Sequence, residues 1–234
     1  MPSFILTGAP GAGKTAVLRL LEVRGHPVIE EAATDVIALG HALGLAEPWQ
    51  DRDFIGKVLA LQRRRQQSAR AGAGAGAGAS DRAVVFFDRS PVCTLALSRY
   101  LGARASPLLA GEIDRAVAEG GYETTAFFIR NQGFVAATAA RRISFEDSLR
   151  FEAIHEQAYI ELGFRLVEVP AGPLADRVAL IRQTAGRLAA GPDDRRGSSS
   201  AGQLTGRAGW PASQSINQSI ARFERYWRLR RSGR

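Results

Sequence analysis

The segment GAPGAGKT at residues 8–15 constrains the fold of this chain more than any other sequence feature. It matches the pattern G-x-x-x-x-G-K-[ST] in full, follows an apolar run at residues 4–6 and leads into a helical pattern that contains Val17 and Leu21. Glycines in such a strand-loop-helix segment let successive backbone N–H groups turn inward around an anion, beside the positive end of the helix dipole. The pattern therefore predicts a phosphate-binding loop.

The residues of this loop have distinct expected roles. The predicted nucleotide-binding positions are Gly8, Ala9, Pro10, Gly11, Ala12, Gly13, Lys14, Thr15 and Ala16. Lys14, one of only two lysines in the chain, is expected to reach the β- and γ-phosphates. The Thr15 hydroxyl is expected to take one position on Mg²⁺. The predicted ligands are ATP or GTP together with Mg²⁺.

Five short apolar runs alternate with helical patterns along the first 190 residues. The runs lie at residues 4–6, 28–29, 83–87, 125–129 and 164–169. Because turn or charged residues bound each run, the runs are typical of buried parallel strands. Leu174, Val178, Ile181, Ala185 and Leu188 recur on one face of a helix. This alternation predicts an α/β domain over residues 1–190, with a five-stranded parallel sheet between two helical layers.

Two segments are expected to lie outside this packed core. Residues 71–79 read AGAGAGAGA, which has no side chain large enough to pack and predicts a flexible connector. Residues 191–234 predict a disordered basic tail, in which nine arginines against three carboxylates give +6 of the chain's net charge of +8. The nearly neutral core makes a nucleic-acid partner an unfavoured interpretation.

The third apolar run ends in Asp88-Arg89-Ser90-Pro91, at the expected position of a second acidic group. A magnesium ion held by phosphates needs an outer carboxylate at the end of a central strand. Asp88 is predicted to supply this carboxylate, as a metal ligand or as a catalytic base. Alternatively, Asp88 caps the next helix, although Ser90 and Pro91 can start that helix without it. Arg89 would face the same crevice and contact substrate or phosphate.

Carboxylates also follow the second apolar run. Strand ends line the binding crevice of an open parallel sheet, so Glu31 is predicted to orient or deprotonate an acceptor hydroxyl, and Asp35 is a second candidate. Alternatively, these acidic groups only complement the dipole of the next helix. Trp49 and Phe54 are candidates for a substrate pocket, but packing in the core is the favoured interpretation for both.

Residues 131–144 form a candidate lid, placed between the fourth run and the helix that begins near Phe145. Arg141 and Arg142 in this segment are predicted to fold over a bound triphosphate and neutralise charge on the transferring phosphoryl group, with Arg130 a weaker candidate. Alternatively, the segment is a solvated surface loop of an arginine-rich protein.

Cysteine content and hydropathy bear on the compartment. Cys93 is the only cysteine, so no internal disulfide can form and a reducing compartment is expected. No apolar run approaches the roughly 18 to 20 residues that cross a bilayer, and the first residues do not resemble a signal peptide. The sequence predicts a cytoplasmic protein without membrane association.

Several motifs together resemble a known family. They are FILTGAPGAGKT, VIEEAATDVI, VVFFDRSP, TAARRISFEDSLRFEAIHEQAY and ELGFRLVEVP, which lie within residues 3–190. The chain is similar to the AAA-domain P-loop family that includes the nicotinamide riboside kinase region of NadR. The resemblance implies a kinase-like P-loop NTPase sheet in strand order 2-3-1-4-5, magnesium near Asp88, and a loop around residues 170–173 that borders the nucleotide base.

Three functions remain open from the sequence. The favoured one is a kinase that transfers the γ-phosphoryl group of ATP or GTP to a small, nucleoside-like acceptor. The second is a regulatory switch that hydrolyses the triphosphate slowly and reports its state to a partner. The third is a nucleic-acid accessory protein that uses the basic tail. The oligomeric state is not predicted.

Overall fold

The computed structural model describes residues 1–75, 84–102, 104–133 and 144–190. The five strands are β1 (Ser3–Thr7), β2 (Val28–Ile29), β3 (Val85–Asp88), β4 (Thr125–Ile129) and β5 (Arg165–Val169). The helices are α1 (Lys14–Val23), α2 (Ala33–Ala42), α3 (Phe54–Ala75), α4 (Pro91–Tyr100), α5 (Pro107–Ala118), α6 (Phe145–Glu161) and α7 (Leu174–Ala189), with a short 3-10 helix at Pro48–Gln50.

All five strands are parallel and lie in the order β2-β3-β1-β4-β5. This confirms the predicted α/β fold class and the strand order of a kinase-like P-loop NTPase. In the register of the sheet, Leu6 of β1 pairs with Asp88 of β3, and Thr7 pairs with Phe128 of β4. Because neighbouring parallel strands end at one edge, the phosphate-binding loop after β1 lies beside the end of β3.

Helices cover both faces of the sheet, and the side chains of β1 point alternately into the two cores that these helices form. Phe4 and Leu6 face α1 and α7, in a core with Val17, Leu21 and further apolar groups. Ile5 points the other way, into a core formed with α3, α4, α5 and α6. Since successive side chains of a strand point to opposite faces, a strand buried on both faces needs an unbroken apolar run.

Local capping fixes two helices that border the loop. Ser90 Oγ accepts a hydrogen bond of 3.2 Å from the Val92 N–H, and Pro91 is the first residue of α4. Ser144 Oγ accepts one of 3.0 Å from the Asp147 N–H at the start of α6. The cap of α4 is therefore Ser90, which confirms that this helix does not need Asp88 as its cap.

The Gly/Ala segment differs in part from the sequence prediction. Helix α3 continues to Ala75, so residues 71–75 are helical instead of a flexible connector, whereas residues 76–79 lie outside the described residues. The helix has already been nucleated over the preceding residues, and alternate alanines, with the highest helix propensity, extend it through the glycines. The predicted tail at residues 191–234 also lies outside the described residues.

Within the part of the chain that the structure describes, no helix combines the length and the apolar character needed to span a membrane.

Candidate active site

The phosphate-binding loop between β1 and α1 requires glycine at defined positions. Gly8, Gly11 and Gly13 have φ angles of 133°, 87° and 85°, which side chains disfavour. A Cβ atom at Gly8 would also lie 2.3 Å from the backbone oxygen of Ile129 in β4. The loop therefore passes so close to the sheet that its path depends on the absence of a side chain at this position.

Lys14 is buried beneath the loop that it helps to form. It is 6% exposed, and its Nζ donates hydrogen bonds of 2.9 Å to Gly8 O and 2.8 Å to Ala9 O. The pKa of the Lys14 ammonium is lowered to about 8. Burial is the largest cause, and the positive charge of the nearby Arg89 guanidinium is the second. A bound polyphosphate would offer this ammonium stronger acceptors than two carbonyl groups.

Asp88 ends β3 and is also buried. Its Oδ1 has no hydrogen-bond partner among the described residues. Burial raises the pKa of the Asp88 carboxyl to about 6, and the negative charge of Glu31 adds to this rise, while Lys14 and Arg89 oppose it. A buried carboxylate oxygen without a partner is suited to a cation, so Asp88 fits the predicted role toward Mg²⁺.

The rest of the donor set agrees with a magnesium ion that keeps water and phosphate ligands. Thr15 is exposed and lines the cleft next to the loop. The described residues contain no group of three or more His, Cys, Asp or Glu side chains that could hold a metal by themselves. Mg²⁺ is commonly bound through one or two protein oxygens together with substrate phosphates, and Thr15 and Asp88 can supply such a pair.

The pKa of Asp88 predicts a pH dependence of magnesium binding. The carboxylate forms only above about pH 6, so the gain in triphosphate affinity caused by Mg²⁺ is expected to fall about tenfold per pH unit below that value. The ratio of dissociation constants with and without Mg²⁺, measured from pH 7.5 to 5, checks this. Asp88→Asn should show a ratio that is low and that changes with pH much less than the wild-type ratio, since only the titration of the triphosphate itself remains. A wild-type ratio that stays constant down to pH 5 would contradict the prediction.

Arg89 and Glu31 form an ion pair at the same edge of the sheet. Arg89 Nε lies 2.7 Å from Glu31 Oε1, and both side chains are mostly buried. Arg89 has a φ of 73°, an unusual value for a residue with a side chain, and its N–H donates to Leu6 O at 3.0 Å. Such backbone conformations persist where the surrounding structure enforces them, often at functional sites. This conformation places the Arg89 side chain against the cleft.

The remaining charged candidates have different positions. Asp35 forms an ion pair with Arg65 and is not among the residues that line the cleft. Arg130 is bound by three carboxylates at 3.3, 2.9 and 2.6 Å, which belong to Glu152, Glu156 and Glu168. The guanidinium of Arg130 is therefore already engaged. Arg141 and Arg142 lie outside the described residues, as do residues 134–143 of the candidate lid.

A cleft of about 660 Å³ extends from the phosphate-binding loop past Glu31 and Arg89. Much of its lining is apolar and aromatic. These lining residues are Ile37, Trp49, Phe54, Val58, Leu97, Tyr100 and Phe151. Trp49 is 36% exposed, so the favoured interpretation of core packing is wrong for this residue, whereas Phe54 is buried and lines the cleft as well. Gln62 and Thr94 add polar groups, with Thr94 Oγ1 donating to Gln62 Oε1 at 3.4 Å.

Two polar side chains support the loop and are absent from the residues that sequence reasoning selected. Ser148 of α6 is fully buried and donates to Pro10 O at 2.9 Å. Arg177 of α7 is 5% exposed and donates to Ala12 O at 2.8 Å. These contacts join residues 138 and 165 positions apart, which local patterns do not reveal. The one sequence signal is that Arg177 falls on the apolar face of its helix, three residues after Leu174.

The chain matches a known protein family over most of its length. Residues 3–177 match the AAA domain family, which is more than half of the chain. The chain belongs to the AAA domain family. The family resemblance of the sequence is thereby confirmed, while the narrower likeness to a nicotinamide riboside kinase region stays a prediction. No curated protein matches this AAA domain chain.

Two solved structures are similar to this AAA domain. The thymidylate kinase of Ehrlichia chaffeensis has a TM-score of 0.53 and 14% sequence identity, over 79% of this chain and 99% of the kinase. The deoxyadenosine kinase of M. mycoides, solved with the products dCMP and a flexible dCDP, has a TM-score of 0.49 and 12% identity, with the same coverage of both chains. At 14% identity the first likeness is one of fold, and it agrees with the kinase-like strand order.

Proposed function

We propose that this AAA domain transfers the γ-phosphoryl group of ATP or GTP to a hydroxyl group of a small, nucleoside-like acceptor. The observation that carries the proposal is the Arg89–Glu31 ion pair, which lies in one cleft with the phosphate-binding loop. A carboxylate that lines the same cleft as a phosphate-binding loop and a set of apolar side chains can act on the acceptor hydroxyl.

The proposed division of labour follows from the positions of the side chains. The loop amides bind the β-phosphate, and Lys14 exchanges the carbonyl oxygens of Gly8 and Ala9 for phosphate oxygens. Thr15 and Asp88 would hold Mg²⁺, which supplies positive charge to the phosphate oxygens. Glu31 accepts the proton of the acceptor hydroxyl, and Arg89 fixes the orientation of that carboxylate.

The shape of the cleft supports a flat acceptor of moderate size. Its volume of about 660 Å³ lies within the usual range for small-molecule sites. Trp49, Tyr100 and Phe151 offer aromatic surfaces, and Gln62 offers an amide for hydrogen bonds. A ring attached to a hydroxyl-bearing group, as in a nucleoside, matches this combination. The likeness of fold to a thymidylate kinase supports a kinase and does not select the acceptor.

Closure over the triphosphate is proposed for residues 131–144. Arg141 and Arg142 would then neutralise charge on the transferring phosphoryl group, as arginine fingers do. Since Arg130 is bound by three carboxylates, it has no part in this proposal.

A panel of acceptors tests the proposed reaction. The protein is incubated with Mg²⁺, γ-labelled ATP or GTP, and pooled nucleosides and other small hydroxyl compounds, and labelled products are separated by chromatography. We expect at least one labelled organic product with the wild type and none above background with Lys14→Met. A triphosphate that is bound and slowly hydrolysed, with no labelled product from any pool, would contradict the kinase and favour the regulatory switch.

A further inference from the structure

The buried guanidinium of Arg177 lies directly behind the phosphate-binding loop. Its Nη2 donates to Ala12 O at 2.8 Å and contacts Arg130 O at 3.4 Å. Its Nη1 lies 2.9 Å from the position that a Cβ atom would occupy on Gly13. Arg177 therefore touches the back of the loop at the two residues that precede Lys14.

No carboxylate compensates this charge among the described residues. Burial is the only influence that changes the pKa of Arg177, and it lowers the pKa. Arginine nevertheless stays protonated in proteins. The residue also lies in the first turn of α7, where the helix dipole disfavours a cation. A buried ion without a counter-ion is unfavourable, so its presence at this position points to a role beyond packing.

A third contact connects Arg177 to the start of the candidate lid. Gln132 lies against the guanidinium, and with its amide oxygen turned toward Arg177 it accepts hydrogen bonds from Nη1 at 2.8 Å and from Nη2 at 3.1 Å. Among the described residues, the acceptors around Arg177 are thus neutral oxygen atoms, in the loop, just after β4 and on Gln132. They orient the guanidinium without neutralising it.

We propose that Arg177 is a positioning residue for polyphosphate binding, which holds the loop through the Ala12 carbonyl and places behind it a positive charge that a bound polyphosphate offsets. The inference rests on the proposed triphosphate site. If Arg177 had only a structural role, it would support the fold, and its effect on affinity would not depend on the charge of the ligand. In contrast, a buried cation strengthens binding in proportion to the anionic charge that arrives on the other side of the loop.

Two substitutions separate these possibilities. Arg177→Met removes the charge and retains much of the side-chain length, whereas Arg177→Lys retains the charge. Arg182→Met is the matched control, because Arg182 lies on the same helix, is exposed and donates to His26 on the surface. Calorimetry with Mg²⁺-ATP and with inorganic tripolyphosphate, which lacks a base and a ribose, gives the affinities of all four proteins. Steady-state kinetics with a labelled acceptor give KM for each substrate and kcat.

For Arg177→Met we expect an affinity about 10- to 100-fold weaker for Mg²⁺-ATP, the range of one charge-assisted interaction, and a larger loss for tripolyphosphate, which carries more negative charge. KM for ATP should rise, while KM for the acceptor and kcat change less than about threefold. Arg177→Lys should lie within about fivefold of the wild type, and Arg182→Met should equal it.

Two other results overturn the inference, and a failure of Arg177→Met to fold leaves the decision to Arg177→Lys. If Arg177→Met binds tripolyphosphate as tightly as the wild type, Arg177 has only a structural role, and the proposed kinase is unaffected. If Arg177→Met fails to fold, Arg177→Lys decides: an affinity within about fivefold of the wild type supports the inference, and any larger loss overturns it. A wild type that binds neither Mg²⁺-ATP, Mg²⁺-GTP nor tripolyphosphate overturns this inference together with the proposed function.

Discussion

Replacing Lys14 by Met is expected to abolish the stabilisation of the protein by Mg²⁺-triphosphate without lowering the stability of the free protein. For the wild type, a triphosphate at about 100 times its dissociation constant should add about 2.7 kcal/mol, or about 5 to 10 °C in Tm for a domain of this size. Among the described residues, Lys14 is the only cation that donates hydrogen bonds to the carbonyls of Gly8 and Ala9, and Lys14→Met removes it. We expect its affinity to fall by about 100-fold or more.

The stability of the free variant follows from the sign of the pKa shift. The pKa of Lys14 is about 8 in the folded protein and 10.5 for an exposed lysine, as in the unfolded chain, so at pH 7 the folded state binds this proton more weakly than the unfolded state does. The charged lysine therefore lowers stability at pH 7, and this effect disappears as the pH rises through 8 toward 10.5. In Lys14→Met, relief of this effect offsets the loss of two hydrogen bonds.

Thermal unfolding with and without Mg²⁺-ATP and Mg²⁺-GTP measures both parts of this expectation. Lys57→Met is the matched control, because Lys57 is the only other lysine and pairs with Asp51 at 2.5 Å on the surface. The control should respond to triphosphate as the wild type does. A Lys14→Met protein that melts more than about 5 °C below the wild type, or that is stabilised equally by triphosphate, would show that Lys14 is a structural residue.

Replacing Glu31 by Gln is expected to reduce phosphoryl transfer by about 10²- to 10³-fold while leaving triphosphate affinity within about threefold of the wild type. The amide keeps the size of the side chain but cannot take a proton from the acceptor hydroxyl. The substitution also removes the ion pair with Arg89. The Arg89 side chain is then held less firmly in the cleft, in addition to the loss of the proton acceptor. The loss should appear in kcat more than in KM for the triphosphate.

Glu30→Gln is the control for this variant. Glu30 precedes Glu31 in the chain, is exposed and pairs with Arg19 on the surface, so its loss should leave transfer unchanged. Rates are measured with the acceptor that the labelled panel identifies, at a temperature at which circular dichroism shows each variant folded. If Glu31→Gln transfers phosphate at the wild-type rate, the carboxylate is no base, and its charge serves only to hold Arg89.

The sheet and the loop could be predicted because their signals are local. A strand buried on both faces must be an apolar run, and a loop that wraps an anion needs glycine at positions such as Gly8 and Gly13, where φ is positive. The placement of Asp88, Glu31 and Arg89 at one edge of the sheet could be predicted for a related reason. Each lies at the end of a strand or within two residues after it, and the ends of parallel strands meet at one edge of the sheet.

Supporting contacts between distant elements were not predictable in this way. Arg177 and Ser148 reach the loop from α7 and α6, and only the packing of the three layers brings them there. The length of α3 was misjudged because glycine content alone favours a connector, whereas a helix that already exists extends through alternating alanines. Trp49 was placed in the core because large aromatic residues are commonly buried, yet it lines the cleft.

Isothermal titration calorimetry of the wild type with Mg²⁺-ATP and Mg²⁺-GTP at pH 7.5 tests most directly whether the loop between β1 and α1 binds a nucleoside triphosphate. We expect saturable heat from at least one of the two, with one site per chain. We expect the heat to be lost in Lys14→Met and retained in Lys57→Met. The absence of binding heat from both triphosphates, confirmed at a second temperature, would contradict the nucleotide site and with it the proposed phosphoryl transfer.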